Sequence, residues 1–381
     1  MHINQESSLC VTFLQDLIAL NTVNPPGNES IAAEYIATAL YKYGIECELM
    51  PVGEHRCNVI TKALTQDPAI IFTGHLDVVP IGEGWKTDPF KASPSSGNIY
   101  GRGACDMKGG IAAMMAAAVW ATRHSEGIHP FRLMFVADEE IYGLGTKALM
   151  KILSPQTTKY CIIGEPTGNT IHIAHRGAIR FKVRMLGRAC HASAPQMGIN
   201  AIESMMRVIE AVSAINEDFK QIHHATLPSP TMCCTMINAG TKDNIIPDLC
   251  EMVIDCRPIV GDTALSFEKT IRKKILALGG LNKGVQMELT PYINVMAGDV
   301  EEDSPIVQWA KDRFLQAFHK EATVNSFPAC CDLTHFTTNG FPAILYGPGW
   351  IAQAHTANEF ISMEQLKNAF TFYCACLAQG S

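Results

Sequence analysis

The sequence predicts an α/β protein: a three-layer α/β/α domain on a mostly parallel sheet, with a ferredoxin-like (βαββαβ) domain inserted into it. Three observations predict this. Short apolar runs alternate with helical periodicities up to about Gly177. From there the order becomes β-α-β-β-α-β. The alternating pattern then resumes towards the C-terminus. The domains are read as 1–177 with 293–381, and 178–292, and a length of 381 residues is ample for two or three domains.

The first helix is marked by Cys10, Phe13, Leu14, Leu17 and Ile18 at helical spacing. Asn24-Pro25-Pro26-Gly27 breaks it, and a second helix runs from about Ile31 to Tyr43. Cys57 to Ile60 and Ala69 to Phe72 are short apolar runs of strand length. Ile111 to Ala121 lacks Gly and Pro and reads as a helix. Phe131 to Ala137 is a strand, Gly145 to Leu153 a helix, and Tyr160 to Ile163 a strand. In the insert, Ala178 to Leu186, Thr231 to Asn238, Cys250 to Cys256 and Val285 to Tyr292 are strands. Asn200 to Ile215 is a helix with Ile202, Met205, Met206, Ile209 and Val212 as its apolar face, and Leu265 to Leu278 is another. A helix from Ile306 to Phe318 and a strand from Ala343 to Tyr346 return to the first pattern.

Composition excludes several classes. The chain is 47% hydrophobic and 18% charged, enough apolar material for a packed interior and too much for a disordered chain. Its net charge is −7, and Arg272-Lys273-Lys274, its basic run, reads as a solvated helix face. Nucleic acid is therefore not an expected partner. Ile111 to Ala121 is well short of the roughly 20 apolar residues that span a bilayer, so no membrane partner is expected. Met-His-Ile-Asn-Gln-Glu has neither a basic start nor an apolar run, so no signal peptide is expected. The 14 cysteines include adjacent pairs at Cys233-Cys234 and Cys330-Cys331 but no Cys-x-x-Cys. They read as reduced, mostly buried thiols of a cytoplasmic protein.

Five tracts beside these elements carry unusual polar residues. In Gly74-His75-Leu76-Asp77-Val78-Val79-Pro80, His75 and Asp77 lie two apart after a strand and project together, where open α/β sheets place ligands. The alternative is a strand-end histidine bonded to an aspartate. In Tyr100-Gly101-Arg102-Gly103-Ala104-Cys105-Asp106-Met107-Lys108-Gly109-Gly110, Asp106 precedes a helix and could simply cap it. The spacing does not fit a phosphate loop. Asp138-Glu139-Glu140 follows a strand. Three adjacent carboxylates repel one another unless solvated or bound to cations, and a solvated acidic turn is the plain reading. Gly164-Glu165-Pro166-Thr167-Gly168 and Ala354-His355-Thr356-Ala357-Asn358-Glu359 complete the set. Together they offer imidazoles and carboxylates without thiolates, the donor set of hard or borderline divalent cations such as a zinc pair.

In combination these tracts resemble the M20 family of di-zinc amidohydrolases and peptidases, in particular the acetylornithine deacetylase / succinyl-diaminopimelate desuccinylase branch. The resemblance extends over nearly the whole chain. It implies two zinc ions, with cobalt as a substitute. It implies that His75 and Glu165 hold one zinc, that Glu140 and His355 hold the other, and that Asp106 bridges them. Asp77 would orient His75, Glu139 would be the general base, and the peptide after Asp106 would be cis. In the insert, Gly187 to Pro195, Gly240 to Pro247 and Asp255 to Pro258 resemble the family's histidine-loop and lid motifs. The resemblance implies a homodimer through this domain, with His191 donating to the oxyanion in the partner's site. Arg176, Asn244 and Arg257 would grip a substrate carboxylate. Their plain readings are surface ion pairs for the arginines, a turn for Asn244 and a satisfied loop histidine for His191.

The implied reaction is hydrolysis of the amide of a small-molecule N-acyl amino acid. Asn358-Glu359 leans towards succinyl-diaminopimelate. Acetylornithine, and a broader N-acyl-amino-acid or dipeptide range, are the alternatives. Ala329-Cys330-Cys331-Asp332-Leu333-Thr334 departs from the Gly/Thr/Ser-rich acyl-pocket tract of the desuccinylases. A non-catalytic zinc scaffold would need a missing ligand or base, and none is missing. A thiol-redox protein would need a better cysteine geometry than adjacent pairs provide.

Overall fold

The computed structural model describes residues 6–62, 67–124 and 126–379. Residues 1–5, on which the signal-peptide expectation mainly rests, lie outside these. The chain divides into two compact units, Met1–Ala174 with Asp299–Ser381, and His175–Gly298.

The first unit opens with α1 (Glu6–Ala19) and α2 (Ser30–Tyr41), separated by the Asn24–Gly27 break, where the Asn24-Pro25 and Pro25-Pro26 bonds are cis. Strands β1 (Cys47–Gly53), β2 (Arg56–Thr61) and β3 (Ala69–His75) follow. A pair of short strands, β4 (Ser93–Ser95) and β5 (Asn98–Tyr100), precedes α3 (Gly109–Arg123). This helix is buried on every side from Gly109 to Ala121, as an all-apolar circumference requires. Then come β6 (Phe131–Val136), α4 (Leu144–Leu149), β7 (Thr158–Ile163) and β8 (Ile171–His175). Regular helix α4 ends at Leu149, and helical turns carry the expected Gly145 to Leu153 segment on, with Met150 N bonded to Thr146 O and Leu153 N to Leu149 O.

The second unit contains β9 (Ala178–Leu186), β10 (Cys190–His191), α5 (Ala201–Phe219), β11 (Thr231–Ala239), β12 (Ile245–Ile246), β13 (Leu249–Arg257), α6 (Ala264–Ala277) and β14 (Gln286–Val295). Its four-stranded antiparallel sheet has the order β11-β13-β9-β14, and β10 pairs with β12. Ile179, Phe181, Val183 and Met185 of β9 alternate onto the face that packs against Met205, Val208 and Val212 of α5. The buried face of α5 differs from the expected one. Ala201, Ser204, Met205, Val208, Ala211, Val212 and Ile215 face inward, whereas Ile202 is 42% and Met206 55% exposed. The expected stripe joined two neighbouring rows of one helix. Burial follows the row at i, i+3 and i+4 that contains the small residues, which let the backbone approach the sheet.

The first unit resumes with β15 (Gly298–Asp299), α7 (Pro305–Phe318), β16 (Val324–Phe327), α8 (Leu333–Thr338), β17 (Ala343–Leu345), β18 (Phe360–Ser362) and α9 (Met363–Leu377). Its main sheet runs β1-β2-β6-β3-β7-β17-β8-β15, with β16 on β8. The centre, β6-β3-β7-β17, is parallel. The β1-β2, β2-β6 and β17-β8 pairs are antiparallel. On one side α1, α3, α7 and α9 pack over Ile70, Phe72, Leu133 and Ile162. On the other, Ile71, Met134, Val136 and Ile163 meet Leu149, Leu333 and Phe336. All four central strands therefore end at the same edge, and the tracts after β3, β6 and β7 emerge there together. Among the described residues, no helix is long and apolar enough to cross a membrane.

Candidate metal centre

His75 is the last residue of β3 and is 2% exposed. Its Nδ1 lies 2.9 Å from the Asp77 carbonyl oxygen. A carbonyl only accepts, so Nδ1 carries a proton and donates it. Nε2 is thereby turned towards Asp106, 3.0 Å from its Oδ1. The other Asp106 oxygen, Oδ2, is 3.3 Å from Nε2 of His355, and that nitrogen is 3.1 Å from Glu140 Oε1. Two imidazoles thus address the two oxygens of one carboxylate that is 7% exposed. Ligand atoms of His75, Asp106 and Glu140 lie within 4.8 Å of one another. Such lone-pair atoms repel unless positive charge lies between them. Protons on the imidazoles are one source of it, and divalent cations are the other. Imidazole and carboxylate donors suit zinc and related ions, so these residues fit a metal centre.

The electrostatics agree with that demand for positive charge. Burial works against a charged His75, but its bond to Asp106 and the fields of Asp106, Glu139 and Asp77 outweigh it and hold the imidazole pKa well above its ordinary value. Bonds to Asp106 and Glu140 raise His355 to about 10. Burial lifts the Glu139, Glu140 and Glu165 carboxyls, and neighbouring acids add to the effect. Glu165, 3% exposed, lies on the loop after β7 within the fields of Asp106, His75 and Glu140.

Asp77 does more than its neighbour's orientation requires. Its carboxylate is 3.7 Å from His75 Nδ1, and its backbone carbonyl holds the ring instead. The carboxylate accepts from Glu139 N and Glu140 N, both at 3.1 Å, and from Asn24 Nδ2 at 2.8 Å. Asp138 is fully buried, not solvated. It accepts from Asn24 Nδ2 and from Arg56 Nη1, which also bonds Glu29. Asp138 has φ 66°, a left-handed conformation that turns the chain so that Glu139 and Glu140 face the centre. Asp106 does not cap α3. Its carboxylate is engaged by the two histidines, and the Asp106-Met107 peptide is cis. Underneath, α3 approaches the loop after β7 so closely that a Cβ on Gly110 would lie 2.3 Å from the Gly164 carbonyl oxygen.

Residues 71–379 match peptidase family M20/M25/M40. The chain belongs to this family. It is a metal-dependent amidohydrolase. It is 29% identical over 360 residues to an acetylornithine deacetylase of Vibrio parahaemolyticus, covering 91% of this chain and 92% of that one. It is 26% identical over 384 residues to a probable succinyl-diaminopimelate desuccinylase of Staphylococcus aureus, covering 93% of each. A dinuclear metal binding peptidase from the M20 family, from Bacillus subtilis, has the same fold, with a TM-score of 0.73 at 17% identity, covering 98% of this chain and 97% of that one.

The remaining expected residues of this M20 chain lie in its second unit. His191 is exposed, and its Nδ1 accepts from Ser193 N at 3.1 Å, so the neutral ring carries its proton on Nε2. Arg257 Nε donates to Asp255 at 2.8 Å, Arg176 Nη1 donates to Ser229 O at 3.1 Å, and Asn244 sits exposed in a turn. Sequence reasoning gave no role to Asn24, Glu29, Arg56, Arg102 or Asp332. Arg102 stands inside a recognised tract, and Asn24 inside the break after α1, but their partners are remote in sequence. Asp332 is 5% exposed, accepts from Thr146 Oγ1, and adds negative field at Glu139 and Glu165.

Proposed function

We propose that this chain hydrolyses the amide of an N-acyl amino acid at a two-zinc centre, in which cobalt substitutes. His75 and Glu165 are assigned to one ion, Glu140 and His355 to the other, and Asp106 to both. The observation that carries the reading is the division of Asp106 between the two imidazoles, with Glu140 on the His355 side. When bound, such a pair polarises the amide carbonyl and makes water acidic enough to supply a nucleophile near neutral pH.

Glu139 accepts the proton of the attacking water on its carboxylate and delivers a proton to the leaving amine nitrogen. Asp77 holds the turn that carries Glu139 and Glu140 by bonding both backbone amides. The Nε2 proton of His191 of the partner subunit is assigned to the carbonyl oxygen as negative charge develops there. Arg176, Asn244 and Arg257 are assigned to the substrate's carboxylate. A homodimer through the second unit is supported by β11, an edge strand with Met236 68% and Ile237 57% exposed. None of the 14 cysteines is in a disulfide, which supports a reducing, cytoplasmic setting.

The acyl group is read as short and uncharged, with acetylornithine as the favoured substrate. Asn358, the residue that leaned towards succinyl substrates, is engaged in structure: its side chain bonds Lys86 N at 2.8 Å and Gly84 O at 3.1 Å. Asp332, in the tract that the resemblance places at the acyl pocket, is buried and bonded to Thr146, and it supplies no positive charge to hold a succinyl carboxylate. The 29% identity to an acetylornithine deacetylase points the same way. The test is a panel of N-acetyl, N-succinyl and dipeptide substrates with zinc supplied and with chelator. Acetyl substrates should turn over fastest, and only with metal. Faster turnover of succinyl-diaminopimelate would reverse the substrate assignment. No turnover of any N-acyl amino acid by the zinc-loaded chain would refute the reaction.

A further inference from the structure

Asp106 sits where the backbone has no regular partners of its own. Within residues 104–108, Asp106 and Met107 depart from helical dihedrals. Buried amides of such a loop must find acceptors elsewhere. Here they converge on one side chain. Glu359 Oε1 accepts from Cys105 N at 2.9 Å and Asp106 N at 3.0 Å. Its Oε2 accepts from Gly103 N at 3.0 Å and from Arg102 Nη1 at 2.7 Å. Glu359 is 1% exposed and Arg102 2%.

Arg102 is fixed in turn. Its Nη1 also donates to Thr356 O at 3.2 Å, and its Nη2 donates to Pro80 O and Ile81 O, both at 3.1 Å. The guanidinium carbon lies 5.2 Å from the ring centre of Trp85. One buried ion pair therefore ties together three segments, 80–81, 102–106 and 356–359. They adjoin the chain positions of His75, Asp106 and His355.

We propose that Glu359, locked by Arg102, is the positioning residue of the metal centre. It binds the amides of residues 103, 105 and 106 and so fixes where the Asp106 carboxylate meets the cations. The proposal rests on the metal-centre reading above. A role in positioning needs a carboxylate, because all four donors point at acceptor oxygens. An amide of the same shape turns one of those oxygens into a donor facing donors. Ligand distances in metal sites tolerate only about 0.2 Å, so a small displacement of the loop is enough to weaken binding.

The experiment is a Co2+ titration of metal-stripped chain, followed by visible absorption, with near-UV circular dichroism and thermal unfolding of the same metal-free samples. Glu359→Gln should keep the wild-type circular dichroism, lose about 10–100-fold in Co2+ affinity, and shift the absorption band at saturation. Glu359→Asp keeps the charge on a shorter arm and should fall between the two. Wild-type affinity and band shape in either folded variant would overturn the proposal. Failure of both variants to fold would also overturn it, since Glu359 would then serve the fold itself. If the wild-type chain takes up no Co2+, the metal-centre reading fails, a result distinct from either of these.

Discussion

Glu29→Gln tests the polar network that holds the acidic turn. Glu29 is fully buried. Its Oε1 accepts from Arg56 Nη1 at 2.9 Å and from Asp138 N at 3.1 Å, and its Oε2 has no partner. Burial raises its carboxyl from 4.5 to about 7, and the nearby Asp77 adds to the shift while Arg56 opposes it. Between those values the folded chain keeps a proton that the unfolded chain has released. The associated stability is complete below pH 4.5 and is lost as pH rises through about 7. At about 1.4 kcal/mol per pH unit, the loss comes to about 3 kcal/mol. Glutamine keeps one acceptor oxygen but cannot titrate. The stability difference between pH 4.5 and pH 8 should therefore shrink by about 3 kcal/mol in the variant. The chain's 4 tryptophans, Trp85, Trp120, Trp309 and Trp350, all belong to the first unit. Urea unfolding of the metal-stripped chain, followed by tryptophan fluorescence, therefore reports on the unit concerned. Equal pH slopes in the two proteins would refute the reasoning.

Three further outcomes are expected. Glu139→Gln should bind metal as the wild type does but lose at least about 10²–10⁴ in kcat, and near-normal turnover would remove Glu139 from the role of base. Lys108→Met should lower the stability of the first unit by about 2–4 kcal/mol. Its Nζ donates to Leu17 O at 2.9 Å and Leu20 O at 2.8 Å, and those carbonyls would lose their partner at the end of α1. Denaturant unfolding measures this. Asp77→Asn offers one acceptor oxygen where three donors now converge. It should weaken zinc binding about 10–100-fold by isothermal titration, and unchanged affinity would show that the turn at 138–140 holds without it.

The sheet and its helices were legible where local pattern decides. Apolar runs such as Ile70 to Phe72 and Leu133 to Val136 are too short for helices and are bounded by polar tracts. Helix α9 was not legible, because the cluster Phe370, Phe372 and Tyr373 has no clear period until it packs against α3 and α7. Strands β1 and β8 were missed for a related reason: β1 is mostly exposed, and β8 contains His172 and His175 among its apolar residues. At the centre, the joint pattern of five polar tracts at strand and helix ends marked the loops that converge, and the family resemblance, not any one tract, named the ligands. It did not name what holds them. Glu359 reaches back more than 250 residues to Gly103, and Arg56 reaches Asp138 across 82. An ordinary arginine or glutamate gives no local sign of such a bond. The Asp77 carboxylate bonding the backbone of residues 139 and 140, rather than the neighbouring ring, depends on a turn that forms only in three dimensions.

Helix α3 begins at the Asp106 loop and is buried on its whole circumference from Gly109 to Ala121, where its own small residues pack against α1, α9 and the sheet. Exchange of Ala112, Ala113, Ala116, Ala117 or Ala118 for anything bulkier would have to push a surrounding helix or strand outward, and with it the edge from which the ligands emerge. Substitutions that leave that edge in place are accordingly confined to near-identical volumes. Chemical specificity can drift in the loops around it, while the shaft beneath keeps one gauge.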